Sequence, residues 1–474
     1  MSPNNFISII SGPLIFILLY VNGPFGEMNF QAHAILCSSL WIAIWWIFEA
    51  VPIPITSLLP LVLFPLSGGL DINSTASAYG DKIIFFYIAG FIIAIAMQKW
   101  NLHKRIALNI IRIFGSDKTK VILGFMISTA FLSMGISNTS TAIMMLTIGI
   151  AVTSQISFNE NKNFGKALML GIAYSASIGG FATLYGTPPN MILKSNIEQF
   201  YNSTIEYNSW LIMAFPLSIL LLIICWIYLS KFSFDLGENS EIGKKEIKSQ
   251  LKKLGKISYE EKIISSLFLV FILALIFKNK IQNYIINIDD TVIAIFLSIF
   301  LFLIPNKKNN KKLIEWDDAI KLPWGIVLLF GAGLSIAFAI QNSGLAEWIG
   351  NQSIFLKNFS PFIILLLLVL SVNFLTEITS NLATVSMLLP ILASIGSTIG
   401  IHPYILMIST TIAASCAFML PVATPPNAIV FGSGYLKMND MVKTGLFMNI
   451  ISIILISIYI YFFLPLLWGI DIIN

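Results

Sequence analysis

The chain has 474 residues, of which 57% are apolar and only 11% are charged. A soluble domain carries roughly 25% charged residues, so a soluble enzyme, a secreted disulfide scaffold and a disordered chain are excluded. The apolar runs are long and continuous, unlike the alternating strands of an outer-membrane barrel. The formal charge of +5 then belongs to cytoplasmic loops of an all-α polytopic membrane protein rather than to a nucleic-acid-binding face.

Eleven spans are predicted, at about 7–22, 32–50, 52–67, 82–98, 167–193, 209–229, 262–277, 289–304, 322–340, 403–431 and 445–468. Two further apolar stretches, 121–155 and 360–398, are each interrupted at the middle by a polar cluster. Each is long enough to cross twice as a short hairpin and reads as a re-entrant helical hairpin. Irregular backbone at membrane depth is tolerated only inside protein or beside a water-filled cavity. The N-terminal run lacks a basic leader and a small-residue cleavage site, so no cleavable signal peptide is expected. Cys37, Cys225 and Cys416 sit in apolar runs and read as inert buried thiols, while His33, His103 and His402 are too scattered for a metal site.

Charge sets the orientation. With the N-terminus in the cytoplasm, 23 of the 28 Lys and Arg residues fall inside, leaving Lys82, Lys194, Lys278, Lys280 and Lys357 outside. That asymmetry is a strong positive-inside signal and puts the C-terminus outside. The 235–262 stretch, with Lys244-Lys245-Glu246 and Lys252-Lys253, is the one sizeable polar segment. It fits a solvated linker between two halves or an amphipathic helix on anionic lipid.

The halves repeat. Ala89–Gln98 matches Ala332–Gln341, 243 residues later, and the same shift takes Ser133 to Thr376, Ser137 to Ser380, Asn138 to Asn381 and Thr141 to Thr384. Gly186-Thr187-Pro188-Pro189-Asn190 matches Ala423-Thr424-Pro425-Pro426-Asn427. The span at 82–98 runs inward and that at 322–340 outward, so the copies are inverted. Inverted repeats with broken helices in equivalent positions mark secondary transporters, with the binding site where the breaks meet.

Two pairs of elements carry the chemistry. The hairpin tips, Ser133–Thr141 and Thr376–Thr384, are rich in Ser, Thr and Asn, which are good N-caps. Helices starting there would aim their N–H groups and positive dipole ends at one central point and receive an anion without Arg or Lys. Their hydroxyl and amide oxygens also suit a hard cation. At the double prolines, Pro188 and Pro189 cannot bond the carbonyls of Leu184 and Tyr185, and Pro425 and Pro426 free those of Pro421 and Val422. Residues 121–154, 167–193, 378–401 and 403–436 carry no Asp, Glu, Lys, Arg or His, and the one such residue close to a tip is Glu377, placed to cap or brace its hairpin. Proton relays need titratable groups, so an oxygen-held metal cation, sodium, is the expected coupling ion. Glu49, in Trp45-Trp46-Ile47-Phe48-Glu49-Ala50-Val51-Pro52, reads as a structural acid bonded to backbone.

With these residues in hand, the chain resembles the divalent anion:sodium symporter family, the sodium-coupled dicarboxylate, citrate and sulfate carriers. The resemblance rests on Ser137-Asn138-Thr139, Ser380-Asn381, both proline breaks and the long run Ala414–Ala428. It implies a homodimer in a lipid membrane, each protomer having a scaffold and a transport domain that slides like an elevator. Residues 1–120 and 263–358 would be scaffold, 121–229 and 359–474 the transport part, and 230–262 a cytoplasmic linker. It further implies one sodium site at Ser133, Ser137, Asn138 and Gly186, and a second at Thr376, Thr379, Asn381 and Ala423. Substrate carboxylates would meet Ser137, Asn138, Thr139, Thr187, Ser380, Asn381, Thr424 and Pro425. Leu382 stands where the family often has threonine, and Thr147 replaces a common proline whose mate, Pro390, is kept. The implied activity is sodium-driven import of succinate, fumarate or malate across a bacterial cytoplasmic membrane. Citrate or sulfate symport and sodium-independent exchange stay open.

Overall fold

The computed structural model describes residues 3–115, 117–154, 158–237, 244–285, 288–307 and 311–473. Helices occupy each of the eleven expected spans. Six described helices are long and apolar enough to cross a membrane by length and composition, namely Phe30–Ile47, Ile72–Lys99, Tyr207–Ser233, Trp324–Asn342, Asn381–Ile399 and Met438–Trp468. Asn381–Ile399 is the second arm of the second predicted hairpin. The 52–67 span is split into Ile53–Thr56 and Pro60–Ser67, because Pro60 has no N–H to offer the Thr56 carbonyl.

Two copies of one five-part pattern organise the bundle. The first runs through Lys82–Lys99, Leu102–Phe114, a hairpin of Lys118–Ser133 and Asn138–Thr153, a broken helix of Phe158–Ala182 and Pro188–Tyr201, and Tyr207–Ile227. The second repeats it as Trp324–Asn342, Leu345–Gln352, Pro361–Leu375 with Asn381–Ile399, Pro403–Ala414 with Pro425–Phe431, and Met438–Trp468. Each opening span ends at a left-handed residue, Asn101 (φ 57°) in one copy and Gly344 (φ 83°) in the other. These positions are also 243 residues apart. Gly adopts that conformation without strain and Asn tolerates it, so both copies turn the chain sharply into a short helix.

In the first copy that short helix is amphipathic. Leu102, Ala107, Leu108 and Ile111 are buried, and Lys104, Arg105 and Arg112 belong to its polar side. The linker docks on it. Helix Lys244–Leu254 buries Ile247 and packs Leu251 and Leu254 against the core, while Lys244, Lys245, Lys248, Lys252 and Lys253 are exposed. The apolar face of the linker is therefore spent on the protein, and it is not a bare solvated linker. Arg105 fastens the joint. Its guanidinium donates to the carbonyls of Leu254 (3.2 Å) and Gly255 (2.9 Å), satisfying the end of the linker helix, and to both oxygens of Glu261 (2.8 and 3.0 Å). Glu261 in turn forms a capping box with Ser258 at the start of Tyr259–Ile276.

Arg105→Ala leaves a buried carboxylate unpaired and frees the linker helix. It is expected to cost about 3 kcal/mol. Thermal unfolding of detergent-solubilised protein checks this, and an unchanged midpoint would show that the joint contributes nothing.

Candidate functional site

One cavity of about 850 Å³ gathers both hairpin tips and both proline breaks. All eight residues assigned to substrate line it: Ser137, Asn138, Thr139, Thr187, Ser380, Asn381, Thr424 and Pro425. Of the residues assigned to cations, Gly186, Thr379 and Ala423 also reach the wall. Ser133 and Thr376 stand behind it, each fully buried.

The tips work differently from the N-cap expectation. Ser137 and Ser380 occupy the N-cap positions of Asn138–Thr153 and Asn381–Ile399, but neither side chain caps its helix. The first-turn N–H groups are thus left for whatever occupies the cavity, and each helix directs its positive end there. The helices after the breaks contribute less, because Pro188-Pro189 and Pro425-Pro426 fill their first turns and lack N–H groups. Thr424 spends its hydroxyl oxygen on the Asn427 N–H (3.3 Å). Leu382 removes a hydroxyl relative to Thr139 but keeps its backbone N–H.

Behind each tip lies a trio of oxygens with one hydroxyl proton between them. Ser133 Oγ is 2.6 Å from Asn138 Oδ1 and 2.7 Å from the Ala176 carbonyl. Thr376 Oγ1 is 2.7 Å from Asn381 Oδ1 and 3.1 Å from the Ala414 carbonyl. One proton serves one acceptor, and such a surplus of acceptors suits a hard cation. Gly186 adds to the first trio. A Cβ there would collide with the Gly180 carbonyl oxygen and press on Thr183 Oγ1 and Ser133 O, so more oxygens converge where only glycine fits. Thr183, which the sequence did not single out, is bonded to the Met134 carbonyl (2.6 Å). On the second side, Thr379 Oγ1 is engaged by the Leu375 carbonyl (3.0 Å) and Thr384 Oγ1 (2.6 Å).

The breaks are unequal, although their motifs match. The first leaves five residues, Thr183–Thr187, outside regular helix, and the second leaves ten, Ser415–Thr424. In both, the asparagine of the motif folds back on the opened turn. Asn190 Nδ2 donates to Thr183 O (2.8 Å), and Asn427 Nδ2 donates to Leu420 O (3.0 Å) and Ala417 O (3.2 Å). The longer break also exposes donors, and Glu377 takes them. Its carboxylate accepts from the N–H groups of Phe418 (2.8 Å), Met419 (2.9 Å) and Leu420 (2.9 Å), and from Asn449 Nδ2 (2.7 Å). Glu377, at its hairpin tip, thus braces the neighbouring break. Its mate in the first copy is Met134, where the short break offers no such row of donors. A lone Asn at 449 in an apolar span is the signal that would have pointed to this network. Tyr87, also missed, donates to the Thr187 carbonyl (3.1 Å) from a separate span.

The remaining wall is largely apolar, with Phe91, Phe268 and Leu329 among its members, and Glu49 is the only ionisable Asp, Glu, Lys, Arg or His side chain lining it among the described residues. Glu49 makes no hydrogen bond or ion pair among the described residues, which corrects its reading as a backbone-bonded acid. It is exposed and sits at φ 44°, a region that side chains other than glycine rarely adopt. Its charge favours cations and opposes anions at the rim.

Residues 10–470 match the family described as the sodium:sulfate symporter transmembrane region. The chain belongs to that family. It is 42% identical to the sodium-dependent dicarboxylate transporter SdcS of Staphylococcus saprophyticus, covering 98% of this chain and 92% of that protein. It is 43% identical to SdcS of Staphylococcus aureus, covering 99% and 93%. Two solved transporters share the fold at low identity. Neisseria gonorrhoeae MtrF superposes with a TM-score of 0.61 at 13% identity, over 98% of this chain and 96% of that one. Alcanivorax borkumensis YdaH superposes at 0.58 and 11% identity, over 99% and 100%.

Glu377→Gln keeps the shape but turns an amide N–H₂ toward backbone donors. It is expected to destabilise the folded protein by about 2–3 kcal/mol. A thermal midpoint equal to that of the parent would remove Glu377 from the bracing of the break.

Proposed function

We propose that this chain is a secondary active transporter that carries C4-dicarboxylates such as succinate, fumarate or malate together with sodium. The observation that carries the reading is the pair of uncapped helix N-termini facing one cavity with no cationic side chain, each backed by an oxygen trio. A dianion held there by N–H groups alone needs added positive charge, and sodium at the trios supplies it. Each solute then lowers the cost of removing the other from water, which couples their binding. The printed name of the SdcS relatives supports dicarboxylate as the substrate class. Their family supports sodium as the coupling ion.

The first sodium site would use Ser133, Ser137, Asn138 and Gly186, and the second Thr376, Thr379, Asn381 and Ala423. Substrate would rest on Ser137, Asn138, Thr139, Thr187, Ser380, Asn381, Thr424 and Pro425. The cavity lining includes Ile47–Glu49, Ile53, Pro54, Pro323, Gly325 and Ile326, at helix ends that the charge count places in the cytoplasm, which supports an inward-facing state. On this reading residues 121–229 and 359–474 move as an elevator against 1–120 and 263–358, with eleven spans, two re-entrant hairpins and a homodimer in the cytoplasmic membrane. The basic face of the 244–254 helix would lie toward its lipid.

The deciding experiment is succinate uptake into proteoliposomes with a sodium, potassium or proton gradient as the sole driving force. Uptake driven by sodium alone and inhibited by other C4-dicarboxylates is expected. Uptake that requires internal dicarboxylate and ignores sodium would make the protein an exchanger, and transport of citrate or sulfate without succinate would change the substrate class. Asn138→Ala and Asn381→Ala are each expected to lower sodium-driven uptake by more than about a hundredfold (roughly 3 kcal/mol) without loss of folded protein. Undiminished transport in either variant would remove that residue from the site. Leu382→Thr is expected to change the ranking of dicarboxylate inhibitors, and an identical inhibition profile would show that position 382 does not read the substrate.

A further inference from the structure

Four of the aromatic side chains that line the cavity are Phe86, Tyr185, Tyr207 and Phe271. Phe86 and Tyr185 lie 4.1 Å apart between ring centres, and Tyr185 stacks on Tyr207 at 5.5 Å. Behind them is a buried ion cluster. Asp290, 3% exposed, accepts from Tyr185 Oη (2.6 Å) and Lys194 Nζ (2.6 Å), and pairs with Lys278 Nζ (3.2 Å). Lys278 also pairs with Glu206 (2.9 Å). Lys194 and Lys278 are 4% and 6% exposed. Nearer the surface, Lys82 reaches Glu198 (3.2 Å) and Asp289 (3.6 Å).

The arrangement has a direction. Tyr185, Lys194, Glu198 and Glu206 belong to the 121–229 part, whereas Lys82, Lys278, Asp289 and Asp290 come from the two segments proposed as scaffold. The Tyr185–Asp290, Lys194–Asp290, Lys278–Glu206 and Lys82–Glu198 contacts therefore cross between the two parts. Lys82, Lys194 and Lys278 are three of the five cations that the charge count puts outside. Burial opposes the charged form of Lys278, but Asp290 and Glu206 outweigh it and hold its pKa above the usual lysine value. A buried ion cluster adds little net stability, because desolvation consumes the Coulomb gain. It does make an interface two-state, since the attraction collapses once the parts separate and water enters. Tyr185 ties the cluster to the site, being the neighbour of Gly186 at the first oxygen trio.

We propose that Asp290 is a positioning residue at the hub of an external latch, holding Tyr185 and Lys194 against the scaffold while the cavity faces the cytoplasm and releasing them when the site faces outward. The inference rests on the two-part transport reading above. In the latched state the aromatic wall stays sealed and the backbone beside Gly186 is held in place. Opening exchanges the Asp290 contacts for water, and sodium and substrate binding on the outside draw the population toward the unlatched state.

The test uses Lys194→Cys combined with Asp290→Cys in reconstituted full-length protein, with each single variant as control. The three native cysteines are buried, which limits background reaction. Sodium-driven succinate uptake is measured before and after a short, reductant-cleavable bifunctional thiol reagent. Uptake is expected to fall at least about tenfold (roughly 1.4 kcal/mol in the barrier) on cross-linking and to recover on reduction. Fully cross-linked protein that transports at the uncross-linked rate would overturn the latch, because the two positions would then never separate. Absence of uptake by the unmodified parent would overturn the transport reading instead. Should the double variant not fold, Tyr185→Phe keeps every ion pair and removes one hydroxyl. In right-side-out vesicles it is expected to lower the KM for external succinate by about threefold, because a larger fraction of the protein then faces outward. A merely structural hydroxyl would change the yield of folded protein and leave that KM at the parent value, an outcome that overturns the proposal.

Discussion

In an apolar bundle every backbone N–H and C=O must find a partner, and an unpaired one costs several kcal/mol. This chain interrupts its helices at two hairpin tips and two proline breaks, and the site is organised by how those interruptions are compensated. Asn190 and Asn427 fold back onto carbonyls of the opened turns, Thr183 in one break and Leu420 in the other. Glu377 and Asn449 collect the donors of the longer break. What is left over gathers at the cavity: the first-turn N–H groups at Asn138 and Asn381 open to it, and the oxygen trios around Ser133 and Thr376 stand behind its wall. The binding groups are thus what remains once the helix breaks have been stabilised.

A site built this way carries almost no charge of its own. Its helix ends favour anions and its oxygens favour cations, so neither solute is held well without the other. On the proposed reading that interdependence is the coupling mechanism, and a fixed Arg or Lys would weaken it by binding the dianion alone. Glu49 works in the same direction, since an isolated carboxylate at the rim opposes an unaccompanied anion.

The two copies share a plan and divide its labour. Their left-handed turns, hairpin tips and asparagine braces correspond residue for residue. They diverge at Met134 against Glu377, Gly186 against Ala423 and Thr139 against Leu382. The short helix of the first copy is basic and carries the linker, while Leu345–Gln352 has no Lys or Arg. Glycine at 186 lets oxygens converge where Ala423 keeps a methyl group. The cradle at Gly186 is therefore specific to the first half, whereas the carboxylate brace is specific to the second.

The helices, their interruptions and the repeat were legible in the sequence because each leaves a local mark: hydrophobic length, a polar cluster inside an apolar run, a double proline, a constant shift. The eight residues that the family resemblance assigned to substrate line the cavity, since they lie on the marked motifs themselves. Other features depend on segments far apart in the chain. Ser137 and Ser380 look like caps by residue type, yet neither side chain makes the capping hydrogen bond. The second break proved twice as long as the first although the motifs match, because Glu377 and Asn449 satisfy its donors from 41 and 31 residues away. Lys194, Lys278 and Asp290 read as ordinary charges at span ends, and only packing brings them together and buries them. Sequence by itself determined where the helices must stop, because proline and polar clusters act on their own backbone. Tertiary structure alone decided which groups are consumed in satisfying those stops and which remain free to bind, because each partner is supplied by a different helix.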